Sequence, residues 1–282
     1  MPITDNAQQR AAFTYNAAAD FYDASPLGFW DYFGRATVRR LSLAPGSRVL
    51  DVCCGSGASA LAAAETVSAD GQVVGVDLAE RLLELARAKA AQRQLMNVRF
   101  EVGDLLSLNY PSESFDAVIC VFGIFFVPNM TDAVRKLWRL LKRGGKLAIT
   151  TWGPNLFEPL NSAFWNAIRN VRPELHKSFN PWDRIHEAES LRTLLKEGGV
   201  ESAEIMAENR FHPINSPDDW WTIALGSGYR GTIEQLTAAE CDEVKRANIA
   251  FLREAKTSAV ETNALYATAT KFEIRNKANN NR

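Results

Sequence analysis

The chain has little cysteine, little histidine, no imbalance of charge and no long apolar run, and each shortage removes a class of protein. Its four cysteines, Cys53, Cys54, Cys120 and Cys241, include an adjacent pair but no Cys-x-x-Cys spacing, which argues against a zinc site or a redox dithiol motif. Read as small buried hydrophobes, they fit a reducing compartment. Lys+Arg number 32 against 33 Asp+Glu, a formal net charge of -1, and no basic stretch interleaved with aromatics marks a nucleic-acid surface. No run approaches the roughly 20 apolar residues of a membrane span. Met1 to Arg10 is polar and mixed in charge rather than basic and then apolar, so neither a membrane span nor a secretory signal is expected, and a cytoplasmic location is.

What is there is ordinary globular material, 46% hydrophobic and 23% charged over 282 residues, enough for one large α/β domain with insertions. Phe13, Ala17 and Phe21, then Ala36, Leu41 and Leu43, are spaced for helices on either side of a break at Ser25-Pro26-Leu27-Gly28. Short apolar runs at 48–53, 73–76, 98–102, 115–121 and 146–152 read as buried strands, with helices expected over 58–67, 78–93 and 132–141 between them. Strands alternating with helices imply parallel strands joined by right-handed crossovers, hence a doubly wound sheet. After Pro154 this rhythm gives way to helices and loops rich in Trp, Phe and Pro. A helix is expected over 187–196, a strand over 201–214, helical structure over 217–256 and a last strand over 264–272.

The segment Asp51-Val-Cys-Cys-Gly55-Ser56-Gly57 puts two glycines where the first strand turns into a helix, a place where backbone can approach a ligand. Gly55, Gly57 and Ala60 satisfy a dinucleotide pattern, and Asp77 ends the second strand, where a carboxylate can hold ribose hydroxyls. This loop alone leaves NAD and S-adenosylmethionine both open.

Val49-Leu-Asp51-Val-Cys-Cys-Gly55-Ser-Gly57 resembles motif I of class I S-adenosylmethionine-dependent methyltransferases, which carry an acidic residue just before the glycine loop. Gly75-Val-Asp77-Leu78 is similar to that family's ribose and adenine motif, and Val102-Gly103-Asp104-Leu105 to its adenine-amino segment. Leu140-Leu-Lys-Arg-Gly144-Gly145-Lys146 resembles the turn before strand five. These motifs stand in the family's order across about residues 48–152. Phe122-Gly-Ile-Phe-Phe-Val-Pro-Asn129 further resembles the branch that contains ubiquinone and menaquinone methyltransferases and many small-molecule enzymes.

The resemblance implies a Rossmann-like α/β fold: a doubly wound, seven-stranded sheet whose antiparallel last strand lies between strands five and six. It implies a single domain over 1–282, with a helical N-terminal cap over 1–45 and a donor-binding core over 46–153. Substrate-side helical insertions and strand six follow over 154–260, then the last strand over 261–273 and a tail over 274–282. S-adenosylmethionine is the implied donor and S-adenosylhomocysteine the product. Asp77 would accept from the ribose hydroxyls with Leu78 on the adenine face, Asp104 from the adenine amino group, and the Leu105 amide would donate to an adenine nitrogen. Asp51 would orient the loop of Gly55, Ser56 and Gly57 and the methionine amine, and Val121 and Phe122 would flank the methionine portion. Tyr15 and Tyr22, seven apart on one helix face, would reach the donor from the cap or else serve as core aromatics.

Methyl transfer needs alignment and, for a hydroxyl nucleophile, a base. His186 and His212 are the candidates for that base, with a helix-cap or structural role as the plainer alternative for each. No Asp-Pro-Pro-Tyr or Asn-Pro-Pro-Tyr follows strand four, which disfavours exocyclic amines. Phe29, Trp30, Trp165, Trp182, Trp220 and Trp221 suit a roofed pocket for a small cyclic acceptor, or a plain helical core. The expectation is a methyltransferase of a small hydroxylated cyclic metabolite, with oxygen favoured and carbon methylation of a quinone-type ring next. A non-catalytic donor-binding protein is a further alternative. A nicotinamide oxidoreductase would want a Tyr-x-x-x-Lys dyad after the sheet, and none is present.

Overall fold

The computed structural model describes residues 7–272; the expected tail at 274–282 lies outside them. Seven strands form one sheet: β1 (Arg48–Val52), β2 (Gln72–Asp77), β3 (Val98–Val102), β4 (Phe115–Val121), β5 (Leu141–Trp152), β6 (Glu204–Glu208) and, late in the chain, β9 (Ala264–Thr270). Their order is β3-β2-β1-β4-β5-β9-β6. The first five are parallel, while β9 runs antiparallel to both neighbours, between strands five and six as expected.

The inner parallel strands β1, β2 and β4 are largely apolar and buried because both faces are covered, while the edge strand β3 is partly exposed. Val49, Val73, Ala117 and Ile119 face α3 (Ala58–Val67) and α4 (Glu80–Gln92). Leu50, Val74, Val118 and Cys120 pack with Ala133, Val134, Leu137 and Leu140 of α5 (Met130–Leu140), with Leu191, Leu194 and Leu195 of α7 (Ala188–Glu197) in the same core. The four α5 residues fall on one helical face. That helix starts where Asn129 Oδ1 accepts the Asp132 amide at 3.1 Å.

Two differences from expectation have local causes. The first concerns 201–214, which is not one strand. After β6 the chain leaves the sheet, the Arg210 amide donates to Asn263 Oδ1, and β7 (Phe211–Pro213) pairs with β8 (Ala259–Glu261) in a separate ribbon. The second concerns Gly144-Gly145, expected as a turn. The segment stays in β5, which begins at Leu141, with a register shift opposite Phe115 and the Gly144 amide donating to Lys271 O.

The cap is α1 (Ala7–Tyr22) and α2 (Phe29–Leu41), separated by a short turn over 25–27. The insertions are α6 (Leu160–Val171), α8 (Pro217–Leu225), α9 (Arg230–Ile233) and α10 (Ala238–Glu254). Capping boxes start α8 at Ser216 and α10 at Thr237. Among the described residues no helix is long and apolar enough to cross a membrane.

Candidate functional site

In an open parallel sheet the crevice for a ligand lies beyond the carboxyl ends of the strands, where the strand order reverses. Here that point is between β1 and β4, and a cavity opens above it under α1.

Its floor is the loop after β1. Cys53, Gly55 and Gly57 have φ of 56°, 53° and 87°, so the chain coils tightly into α3. A Cβ on Gly55 would stand 3.0 Å from the Tyr22 hydroxyl, so this glycine answers to close approach as well as to its backbone. Asp77 locks the loop: Oδ2 accepts the Gly55 amide at 2.9 Å and Oδ1 accepts the Ala79 amide at 2.9 Å. Burial raises its pKa, and those amides pull the other way. With the Leu78 amide also donating to it, the carboxylate keeps room for about one further donor.

Asp104 stands across the cavity, at the end of β3. Oδ1 caps the following turn by accepting the Leu106 amide at 2.9 Å, and Oδ2 accepts the side-chain amide of Gln8 at 3.0 Å. Asp104 thus caps the turn after β3, and its bond from Gln8 ties α1 to the far wall. Leu78 and Leu105 line the walls, and Val121 and Phe122 line the end of β4. Phe122 has φ of 53° and stacks on Trp152 at 3.7 Å and 11°, which holds that turn of backbone in place.

Tyr15 and Tyr22 both line the cavity, edge to face at 6.1 Å. Burial raises both phenol pKa values far out of reach of neutral pH, and the charge of Asp77 adds to it. Both remain protonated donors.

Asp51, Ser56 and Gly57 do not line the cavity and sit just behind it. Asp51 is fully buried; Oδ2 accepts the Ser59 hydroxyl at 2.7 Å, and Oδ1 has no hydrogen-bond partner. Burial pushes its pKa up to about 7, against the Ser59 bond and with help from Asp77. Ser59 itself lines the cavity. Ser56 donates to Asp23 Oδ1 at 2.7 Å and receives Lys89 Nζ at 2.8 Å, which fastens the loop to the cap and to α4.

Neither histidine nominated as a base is part of the lining. His186 lies 3.8 Å from carboxylate oxygens of Asp183 and Glu187. His212 bonds Pro26 O through Nε2 at 2.8 Å and meets the Phe29 ring edge to face, and burial lowers its pKa.

The lining also holds residues that sequence reasoning passed over: Gln8, Ala11 and Ala12 on α1, Cys54, Leu82, Phe126 and Val127. The first three precede Tyr15 by seven, four and three positions, so the helical repeat that paired Tyr15 with Tyr22 also reaches them. Cys53, expected as buried packing, faces the cavity, and all four cysteines are free thiols.

The site accordingly offers carboxylates, carbonyls and phenols on a glycine loop, a donor set suited to a ribose, an amine and an aromatic base rather than to a phosphate. Asp51 adds a buried carboxylate behind Ser59, whose charged form a cationic ligand in the cavity would favour.

A methyltransferase-domain family matches residues 49–145. Demethylmenaquinone methyltransferase of Listeria monocytogenes is 36% identical over 147 residues, which are 51% of this chain and 61% of that protein, so the match spans less than two thirds of its length. Aklanonic acid methyltransferase DauC of Streptomyces sp. is 33% identical over 193 residues, 64% of this chain and 87% of that protein. Solved structures share the fold at low identity. SpnF, a [4+2]-cyclase, matches with a TM-score of 0.59 and 19% identity, over 95% of this chain and 98% of its own. Phosphoethanolamine N-methyltransferase 2 of Haemonchus contortus, solved with S-adenosylhomocysteine, matches with 0.58 and 19%, over 97% of this chain and 62% of its own. The chain belongs to the class I S-adenosylmethionine-dependent methyltransferases.

Proposed function

We propose that this protein binds S-adenosylmethionine in the cavity beneath α1 and transfers its methyl group to a planar cyclic small molecule, with oxygen as the favoured acceptor atom. The observation that carries this is the convergence of Gly55, Asp77, Asp104 and Phe122 on one cavity at the switch point of the sheet. Asp77 would hold the ribose, and Leu78 and Leu105 the adenine. Asp104 would take the adenine amino group on its remaining lone pairs. Asp51, behind Ser59, would supply negative charge toward the methionine end.

The donor supplies an electrophilic methyl group. The chain supplies alignment and a dry site: Tyr15, Tyr22 and Phe126 close the cavity from above and beside. No histidine lines it, and its phenols stay protonated, so the favoured acceptor oxygen is one that ionises by itself, a carboxylate or an acidic phenol. Carbon methylation of an electron-rich quinone-type ring is the second reading; the demethylmenaquinone methyltransferase relatives favour it.

The test is calorimetric titration with S-adenosylmethionine, S-adenosylhomocysteine and NAD, followed by mass-spectrometric screening of hydroxylated and carboxylated aromatic acceptors. Binding of the two adenosyl ligands alone is expected. Asp77→Ala should weaken that binding about 10- to 150-fold, the loss of one hydrogen bond to a charged group worth about 1.5–3 kcal/mol. A folded protein that binds NAD or neither adenosyl ligand overturns the proposal. Donor binding with methyl transfer to no acceptor leaves a binding protein on this fold.

A further inference from the structure

An open sheet has two edges, and each edge strand leaves a row of backbone N–H and C=O groups without a partner strand. Here the edges are β3 and β6. On β3, the bonds from the Val73 amide to Asn97 O and from the Gly103 amide to Asp77 O show which residues turn inward. Backbone groups alternate sides along a strand, so Val98, Phe100 and Val102 turn theirs away from β2. Among the described residues no strand covers them.

The edge reads Val98, Arg99, Phe100, Glu101, Val102. Laid antiparallel against itself about Phe100, it sets Val98 opposite Val102, Arg99 opposite Glu101 and Phe100 opposite Phe100. Apolar meets apolar, and each charge meets its opposite. In that register the outward backbone groups of Val98, Phe100 and Val102 also come face to face. Arg99 Nε already pairs with Glu101 Oε1 at 2.7 Å, both side chains are about half exposed, and the Tyr110 hydroxyl donates to Glu101 Oε2 at 2.7 Å. The charges are therefore aligned before a partner arrives. Val102 is 58% exposed, an apolar side chain that the Val98 of a second strand would cover.

The other edge lacks this property. Centred in the same way on Met206, β6 would set Glu204 against Glu208, and Glu208 is already engaged by Tyr32 and Tyr266. One group contests the β3 edge: Arg87 of α4 donates to Phe100 O at 3.1 Å. A carbonyl oxygen has two lone pairs, so this one can take a second N–H beside that of Arg87.

We propose that β3 pairs with β3 of a second copy of this chain across a two-fold axis at Phe100, so that the sheet runs on from one protomer into the next. The contact is isologous, the same patch meeting itself. Strands of the two copies run in opposite senses, so the two cavities, each at the carboxyl ends of its own strands, open in opposite directions and neither blocks the other. Strands of 5 residues make a small contact, and the dimer is accordingly a weak one that forms as concentration rises.

Sedimentation equilibrium of the full-length protein, from low to high micromolar concentration, reads the mass directly. The wild type should climb from 31.3 kDa toward twice that value. Glu101→Lys faces Arg99 with a like charge, and Arg99→Glu does the same to Glu101. Each should weaken self-association about 10-fold, because the two-fold axis counts the changed pair twice. An equal mixture of the two variants restores opposite charges at both positions and should associate as the wild type does. Circular dichroism and thermal melting check the fold of each variant. In the wild type, the amides of Val98, Phe100 and Val102 should exchange more slowly as the dimer forms.

A wild type that keeps the mass of one chain at every concentration overturns the proposal and leaves Arg87 as the cover of the edge. A dimer that neither substitution weakens, or that leaves exchange at those three amides unchanged, has its interface elsewhere and overturns it too. So does a mixture that associates no better than its components.

Discussion

Donor binding should expel a proton from Asp51. Its carboxyl is fully buried, has one oxygen without a partner, and titrates near 7 because burial disfavours its charge. A cationic ligand beside Ser59 reverses that preference and draws the group into its ionised form. If ionisation on binding is complete, the protein releases ~0.9 proton at pH 6, ~0.5 at pH 7 and ~0.1 at pH 8. Calorimetry of S-adenosylmethionine binding in two buffers of different ionisation enthalpy counts these protons directly. Asp77 is also raised, so the quantity to read is the difference between the wild type and Asp51→Asn, which isolates Asp51. An identical proton count in the two proteins, or one that does not fall as pH rises, would refute the reasoning. The same shift has a folding consequence of known sign. An acid whose folded pKa lies above its unfolded one holds its proton longer in the native state. The contribution of Asp51 to stability is therefore greatest at low pH and declines between about pH 4 and pH 7, by about 4 kcal/mol for a shift of this size. In Asp51→Asn that portion of the decline should be absent from denaturant melts taken across the range.

Gly55→Ala should destabilise the free protein by about 1–2 kcal/mol, because a side chain in the left-handed region is strained and its Cβ would abut the Tyr22 hydroxyl. Urea melts measure this, and an unchanged midpoint would show that the loop relaxes freely. Ser56→Ala removes the bonds of Ser56 to Asp23 and Lys89, leaves the direct Lys89–Asp23 pair, and should cost about 1 kcal/mol. Because Ser56 fastens the cap to the loop without lining the cavity, amide exchange near residues 20–24 should quicken, and retained protection there would argue against that fastening role.

The parallel half of the fold was legible because strands such as Val49–Val52 and Val73–Val76 are buried on both faces and stand out as apolar runs between glycines and helices. The edge was less so. Residues 201–214 are half exposed, and no change in their pattern announces that Glu208 ends one sheet and Phe211 begins another; tertiary bonds from Asn263 to Arg210 and Pro154 mark the departure. In the site, Gly55, Asp77, Asp104 and Phe122 are visible from spacing and resemblance. Ala11, Ala12 and Cys54 carry no chemical flag, and only the helix repeat or the loop position marks them. Rarity and late position nominate the histidines and say nothing of distance: neither is part of this cavity's lining, and His212 bonds Pro26 O through a ring nitrogen.

Helix α1 is fastened on both sides. Arg81 of α4 bonds Asn16 and pairs with Asp20, while Thr14 and Phe21 sit against Gly231 and Gly226 of the late insertions. Gln8 reaches Asp104 from the same helix. The α4 side and the insertion side of the cavity therefore share one helix. Any displacement of α1 would break contacts to β3, α4 and the late insertions at once, so an opening of the cavity by way of this helix would engage all three together.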